Sequence, residues 1–144
     1  MKDLEESKVL KHYDISGTDF SVAGEASSKF KVVLKKLGVN PETVRRVSIA
    51  MYEAEINTVV HGGGGTCDAE VLDNCVKIVF KDEGPGIENV ELAMQEGYST
   101  ASDSVRELGF GAGMGLPNIK KYTDDMQIET QVGKGTKITL IVNL

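Results

Sequence analysis

Residues 75–86 read Cys-Val-Lys-Ile-Val-Phe-Lys-Asp-Glu-Gly-Pro-Gly and combine a strand pattern with a tight turn. The Val, Ile and Phe content predicts a strand over residues 75–82, and a period of two places Asp82 on the apolar face that Phe80 shares. A carboxylate on that face needs a hydrogen-bond donor. The glycine turn at 83–86 would let the backbone approach a flat ligand while Asp82 accepts from an exocyclic amine. An ordinary turn capped by Asp82 is the alternative.

The sequence on either side of this segment alternates strand and helix patterns. The predicted strands cover residues 9–15, 66–72, 126–132 and 136–144, and the predicted helices cover residues 21–37, 41–61 and 116–122. Hairpins are indicated at Asp73-Asn74 and at Gly133-Lys134-Gly135. We therefore predict an α+β two-layer sandwich, with a mixed, mostly antiparallel β-sheet and its helices on one face.

Capping residues mark the helix ends. Asp19 or Ser21 can cap the first helix, and Gly38 can close it. Asn40-Pro41 supplies an N-cap and a proline at the first helical position of the next helix, and the glycines at 62–65 end that helix.

Composition restricts the setting in which the protein works. At 144 residues the chain has the usual size of a single domain. A formal net charge of -6 argues against general nucleic-acid binding, which relies on Lys and Arg. No apolar run approaches the roughly 20 residues of a membrane span, so we expect a cytoplasmic protein without a membrane contact. Cys67 and Cys75 lack a CxxC spacing and are expected to be free thiols, with no zinc site.

The longest predicted helix carries an acid and an amide one turn apart. It is apolar nearly all round and should be covered on both faces, where Glu53 and Asn57 would be costly unless they bind a ligand. Alternatively, Glu53 pairs with Arg46 or reaches solvent, while Asn57 caps the helix end. Glu55 points to the other face and is a poorer candidate. His61 is interpreted as a residue whose charge interacts favourably with the dipole at the helix C-terminus.

A glycine-rich segment precedes the last predicted helix. Residues 109–115 read Gly-Phe-Gly-Ala-Gly-Met-Gly, with glycine at every second position up to the helix start. Backbone amides there can face phosphate oxygens, and the helix dipole adds to that attraction. The spacing matches neither the Rossmann nor the P-loop pattern, and the protein-kinase motifs are missing. With the polar passage before it and a short helical pattern at 89–95, this segment is expected to form a lid over about residues 88–115.

Four motifs occur in the order of a known superfamily. Glu53-Ala-Glu-Ile-Asn57, Asp82-Glu-Gly-Pro-Gly86, residues 109–115 and Gly133-Lys-Gly-Thr136 resemble, in order and separation, the four boxes of the GHKL superfamily. That superfamily joins DNA gyrase, Hsp90, MutL and histidine-kinase ATP domains. A lone domain without a dimerisation helix, receiver or acceptor histidine is similar to the bacterial anti-sigma-factor serine/threonine kinases of the SpoIIAB, RsbW and RsbT type. The resemblance implies one Bergerat-fold ATP-binding domain over residues 1–144.

The resemblance also implies a role for each matching residue around the metal and the adenine. Asn57 would hold Mg²⁺, Glu53 would act as the catalytic base, and Asp82 would contact the adenine amine. On the adenine side, Gly84 and Gly86 would shape the pocket. Thr136 would support the adenine base.

Residues of the lid and the glycine segment would contact the phosphates. Tyr98-Ser99-Thr100 resembles a short lid motif, which would put Thr100 near the phosphates, and Arg106 is the nearest candidate for the basic lid residue of the family. The glycine-segment residues in the expected ATP site are Gly109, Gly111, Gly113, Met114 and Gly115.

These roles favour a Mg-ATP-dependent serine/threonine kinase of the anti-sigma-factor type, which phosphorylates a hydroxyl of an antagonist protein in a partner-switching pathway. Its expected protein partners are a sigma factor, an anti-sigma antagonist with a serine or threonine acceptor, or both. Two other functions stay open. The domain could be an ATP/ADP-dependent binding switch without kinase activity, or a detached histidine-kinase-like ATP domain. Members of the family are often dimers, so a homodimer is a further expectation.

Overall fold

The computed structural model describes residues 9–87, 90, 94 and 115–144. Its strands are β1 (Val9–Ile15), β2 (Gly65–Val71), β3 (Cys75–Asp82), β4 (Asp125–Gln131) and β5 (Gly135–Asn143), and its helices are α1 (Glu25–Lys36), α2 (Pro41–Val60) and α3 (Gly115–Tyr122). The predicted strands and the three longer predicted helices are found, and apart from α1 their bounds differ from the prediction by at most one residue. The short helical pattern predicted at 89–95 lies mostly outside the described residues. None of the described helices combines the length and the apolar composition that a membrane crossing requires.

The five strands form one sheet in the order β1-β2-β3-β5-β4. Both predicted hairpins are confirmed, because β2 pairs with β3 and β4 pairs with β5. Strand β3 lies at the centre, where Phe80 is opposite Cys67 on one side and Ile138 on the other. All pairings of the described strands are antiparallel, so this part of the chain contains no parallel pair of the kind that a mixed sheet includes.

The helices cover one face of this sheet. Along β3 the buried residues Val76, Ile78 and Phe80 alternate with Lys77 and Lys81, which lie on the opposite face. Helix α2 packs on β3 and β5, and both α1 and α3 pack against α2. The predicted α+β two-layer sandwich is confirmed, and α2 is its central helix.

Helix α1 begins later than the predicted residue 21. Phe20–Val22 forms a 3-10 turn, whose start is capped by the Asp19 carboxylate accepting from the amide of Ser21 at 3.0 Å. The α-helix begins only after Gly24, which has the left-handed φ of 93°. A Cβ at Gly24 would lie 2.9 Å from the ring of Tyr52, so the close approach of α2 requires glycine at this position.

Candidate functional site

Helix α2 positions the acid and the amide that the sequence singles out. Asn40 caps the helix start by accepting from the Glu42 amide at 2.9 Å, as predicted. The side of α2 that includes Met51 and Ala54 is fully buried, whereas Glu53 and Asn57 are partly buried. Their carboxylate and amide groups are therefore fixed by a rigid helix and remain within reach of a ligand.

The Glu53 carboxylate contacts helix α3. Asn118 donates from Nδ2 to Oε2 of Glu53 at 3.3 Å. Arg46, which the sequence offered as an alternative partner of Glu53, instead pairs with Asp124 at 3.4 Å. The alternative pairing is wrong, because the guanidinium of Arg46 reaches Asp124, just after α3, rather than Glu53 two turns along its own helix.

Glu55 lies on the other side of α2, as the sequence predicted. Its side chain is buried and accepts hydrogen bonds from the amides of Gly24, Ala26 and Ser27 and from the Ser27 hydroxyl, at 2.7–3.2 Å. These amides belong to the first turn of α1, where backbone donors have no intrahelical partner. Because Gly24 has no side chain to cap that turn, Glu55 caps α1 from the neighbouring helix.

Asp82 ends strand β3 as a partly buried carboxylate. Its Oδ1 accepts from the amide of Gly84 at 2.9 Å and from the amide of Thr136 at 3.2 Å. The first bond is the turn cap that the sequence offered as the alternative interpretation, and the second fixes the carboxylate against β5. Both bonds use Oδ1. The other oxygen, Oδ2, lies on the side of Gly62, where a Cβ would approach it to 2.6 Å.

The two glycines after Asp82 are required by close backbone contacts. A Cβ on Gly84 would lie 2.7 Å from the carbonyl oxygen of Gly62. Gly86 has a φ of 79°, and its Cβ would lie 2.5 Å from the carbonyl oxygen of Gln131. The turn is thus held between the end of α2 and the β4–β5 hairpin, with no room for a side chain at Gly84 or Gly86.

Threonines of the β4–β5 hairpin complete this arrangement. Thr136 is buried, and its hydroxyl lies 2.9 Å from the hydroxyl of Thr130. The Thr130 hydroxyl also accepts from the amide of Ile87 at 2.9 Å, just beyond the glycine turn. Asp82, Thr130 and Thr136 therefore link β3, the turn and the hairpin through consecutive hydrogen bonds.

His61 lies where α2 ends, close to this network. Burial lowers the pKa of its imidazole, and the negative charge of Asp82 acts against that shift. A neutral ring is therefore favoured near neutral pH. The sequence interpretation of His61 as a favourable charge at the helix C-terminus is not supported by this shift, because the dipole effect requires the protonated ring.

An open cleft of about 850 Å³ lies at this end of the sheet. Asp82 and Thr136 line it together with the glycines of residues 62–65 and the side chains of Lys81 and Lys137. Lys81 faces away from the helices, since it alternates with the buried Phe80. Among the described residues, Glu53 and Asn57 are not part of the lining of this cleft.

Several predicted site residues lie outside the described residues. These are Thr100, Arg106, Gly109, Gly111, Gly113 and Met114, together with most of the expected lid at about 88–115. Gly115 is described and is the first residue of α3. The predicted glycine segment therefore leads directly into the helix that carries Asn118.

Sequence reasoning missed three residues of this region. Asn118 gave no signal because it matches none of the four motifs, and Thr130 gave none because it is one polar residue in an alternating strand. Gly62 was noted only as a helix terminator. Its contacts with Asp82 and Gly84 depend on how α2 meets β3, although the unusual run of four glycines is a signal that could have suggested a close backbone approach.

The donor chemistry beside α2 can accommodate Mg²⁺ with phosphates. The described residues contain no group of three or more His, Cys, Asp or Glu side chains arranged around a metal. Mg²⁺ in nucleotide sites is commonly held by one or two side-chain oxygens plus phosphate oxygens and waters. The partly buried Asn57 amide, one turn after Glu53, fits such a sparse ligand set.

Comparison with known proteins identifies the family of the chain. Residues 19–142 match the family described as histidine kinase-like ATPase domain. An anti-sigma F factor of Clostridium acetobutylicum is 36% identical over 104 residues, which cover 69% of each chain. The serine/threonine-protein kinase RsbT of Bacillus subtilis is 32% identical over 113 residues, covering 76% of this chain and 79% of RsbT.

Two solved structures share the fold. The RsbU and RsbW domains of a Mycobacterium tuberculosis protein match with a TM-score of 0.65 and 18% identity, over 94% of this chain and 32% of that longer chain. The SiaB-SiaC complex of Pseudomonas aeruginosa matches with a TM-score of 0.60 and 11% identity, over 96% of this chain and 90% of the matched chain. The chain therefore belongs to the histidine kinase-like ATPase domain family of the GHKL superfamily, and its sequence is similar to the anti-sigma F factors and RsbT.

Proposed function

We propose that this protein is a Mg-ATP-dependent serine/threonine kinase that phosphorylates a hydroxyl of a partner protein in a partner-switching pathway. The observation that carries the proposal is the hydrogen bond between Glu53 on α2 and Asn118 on α3. Glu53 lies one helical turn before Asn57 on α2. A carboxylate, a metal-binding amide and the start of a helix after a glycine segment are the groups that phosphoryl transfer requires.

The adenine is assigned to Asp82. Its Oδ1 accepts hydrogen bonds from two backbone amides, so the carboxylate is oriented without a ligand. A fixed acceptor of this kind recognises the exocyclic amine of adenine and disfavours the carbonyl that guanine carries at the same position. Gly84 and Gly86 keep the adenine side of the pocket free of side chains, and Thr136 holds Asp82 in place.

The phosphates are assigned to the N-terminal end of α3. Backbone amides of Gly111, Gly113 and Gly115 would face the phosphate oxygens, with Thr100 and Arg106 as further candidates from the lid at about 88–115. Mg²⁺ held by Asn57 would neutralise the charge that develops on the transferred group. Glu53 would orient or deprotonate the acceptor hydroxyl, which attacks the γ-phosphorus as the bond to ADP breaks.

The partner is a protein that supplies the hydroxyl. The relatives named anti-sigma F factor and serine/threonine-protein kinase support a sigma factor or its antagonist as the class of partner. A small domain can perform this chemistry because positioning and electrostatics supply most of the catalysis once the partner brings the nucleophile.

The experiment is a phosphotransfer assay with Mg-ATP and a candidate antagonist protein from a neighbouring gene. We expect acid-stable phosphate on one serine or threonine, located by mass spectrometry. Glu53→Gln should reduce the rate by a factor of at least about 100, within the range of general-base contributions. Lys120→Gln, an exposed substitution on α3, is the matched control and should transfer at the wild-type rate.

Other results would contradict the proposal in distinct ways. An acid-labile phosphate on histidine would indicate a detached histidine-kinase-like domain. Tight ATP binding without transfer to any tested partner would indicate a binding switch. Unchanged transfer by Glu53→Gln would remove Glu53 as the base.

A further inference from the structure

We propose that Asn118 is a positioning residue that orients the Glu53 carboxylate for phosphoryl transfer, an inference that rests on the function proposed above. Its Nδ2 donates to Oε2 of Glu53 at 3.3 Å, across 65 positions of the sequence. Among residues 9–87 and 115–144, Asn118 is the one residue whose side chain donates a hydrogen bond to Glu53.

The position of Asn118 is fixed by the packing of α3. Leu116 and Ile119 are buried, and they anchor the first turns of α3 against the core that α2 also contacts. Asn118 lies between them in sequence, is partly buried, and reaches α2 from the side. The amide is therefore presented to Glu53 by a rigid helix rather than by a loop.

The chemistry of an amide suits this role. A side-chain NH₂ group donates a hydrogen bond to a carboxylate but does not titrate, so it can orient Glu53 without taking or delivering the transferred proton. Because the donor contacts Oε2 alone, Oε1 is the oxygen assigned to the acceptor hydroxyl. A lysine in place of Asn118 would neutralise the carboxylate, and a leucine would leave its orientation undefined.

The arrangement also joins the base to the phosphate end of the site. Asn118 lies three residues after Gly115, the first residue of α3, where the nucleotide phosphates are assigned. One hydrogen bond thus connects the helix start with Glu53. Asn118 should consequently affect the chemical step more than the binding of ATP.

Steady-state kinetics of Asn118→Leu and Asn118→Gln test the inference. Leucine has a similar size but no donor, and we expect kcat to fall about 10- to 100-fold, the range covered by loss of a hydrogen bond to a charged group. KM for ATP should change less than about twofold, because no ground-state contact to nucleotide is lost. Glutamine keeps the donor and should restore most of the rate. Lys120→Gln should behave as wild type.

A measurement that needs no catalysis accompanies the kinetics. The side-chain NH₂ resonances of Asn118 should shift in Glu53→Ala relative to wild type and should stay unchanged in Lys120→Gln. Unchanged resonances in Glu53→Ala would overturn the inference, and so would a wild-type kcat in Asn118→Leu. Equal loss of rate in the leucine and glutamine variants would overturn it as well, since a structural role would explain both.

These outcomes separate the inference from the proposed function. If wild type transfers phosphate and Asn118→Leu does so equally fast, the positioning role fails and the kinase survives. If wild type transfers none while the Asn118 resonances depend on Glu53, the kinase proposal fails, and the positioning role fails with it.

Discussion

Replacement of Glu55 should destabilise the protein more than replacement of any other acidic residue of α2, although Glu55 is not part of the proposed ATP site. Glu55 is 2% exposed, and its carboxylate accepts from three backbone amides and one hydroxyl. Ala26 and Ser27 are themselves buried, so their amides have no access to water once the carboxylate is removed.

The magnitude follows from those donors. Each buried donor left without an acceptor costs about 1–3 kcal/mol, and the Glu55 carboxylate is the acceptor for several such donors. We expect Glu55→Ala to lower the free energy of unfolding by about 3–5 kcal/mol. Glu55→Gln keeps one acceptor oxygen but loses the charge at the helix N-terminus, and we expect a loss of about 1.5–3 kcal/mol.

Urea denaturation followed by far-ultraviolet circular dichroism measures the effect. The matched control is Glu25→Gln, an exposed acid of α1 that pairs with Lys29 at 2.7 Å and should cost less than about 1 kcal/mol. The denaturant dependence should be the same for all variants if unfolding remains two-state. A loss below about 1 kcal/mol for Glu55→Ala would refute the reasoning, because the capping donors would then have found other partners.

Three further predictions concern the pKa of a histidine, the thiols and the glycine turn. Burial lowers the pKa of the His61 imidazole below 6.5, so as the pH falls the unfolded state takes up this proton before the folded state does. The free energy of unfolding should therefore rise with pH up to about 6.5. NMR titration of the imidazole should give a midpoint below 6.5, and a higher midpoint would contradict the prediction. Burial raises the pKa of the Cys67 thiol, so a thiol reagent should modify the partly exposed Cys75 first and Cys67 only on unfolding; equal rates in the native protein would disprove this. Gly86→Ala should lower the free energy of unfolding by more than about 2 kcal/mol, because a clash adds to a left-handed φ. Gly133→Ala is the control, with a similar φ but open space around it, and should cost about 1 kcal/mol; equal losses would remove the clash as the cause.

The fold could largely be predicted from the sequence because its signals are local. Strand β3 and both hairpins follow from alternation and turn residues, and α2 follows from Asn40-Pro41 and the glycines after it. The start of α1 could not be predicted. It depends on the ring of Tyr52 against Gly24, a contact between two helices that no local pattern encodes.

The candidate site could likewise be predicted only in part. Glu53, Asn57 and Asp82 stand out because polar groups in apolar settings need partners. The identity of those partners could not be predicted from the spacing of residues in the sequence. Asn118 is 65 residues from Glu53, and Thr136 is 54 residues from Asp82, so both contacts exist only after the helices and strands have packed.

Nucleotide titration by calorimetry tests the central claim most directly, using Mg-ATP and Mg-GTP with wild type and Asp82→Asn. If Asp82 reads the adenine amine, wild type should bind ATP at least about tenfold more tightly than GTP, since a carboxylate accepts from the amine and repels a carbonyl. Asp82→Asn, with its fold verified by circular dichroism, should lose most of this preference. Equal affinity of wild type for the two nucleotides, or an undiminished preference in Asp82→Asn, would contradict the assignment of the site.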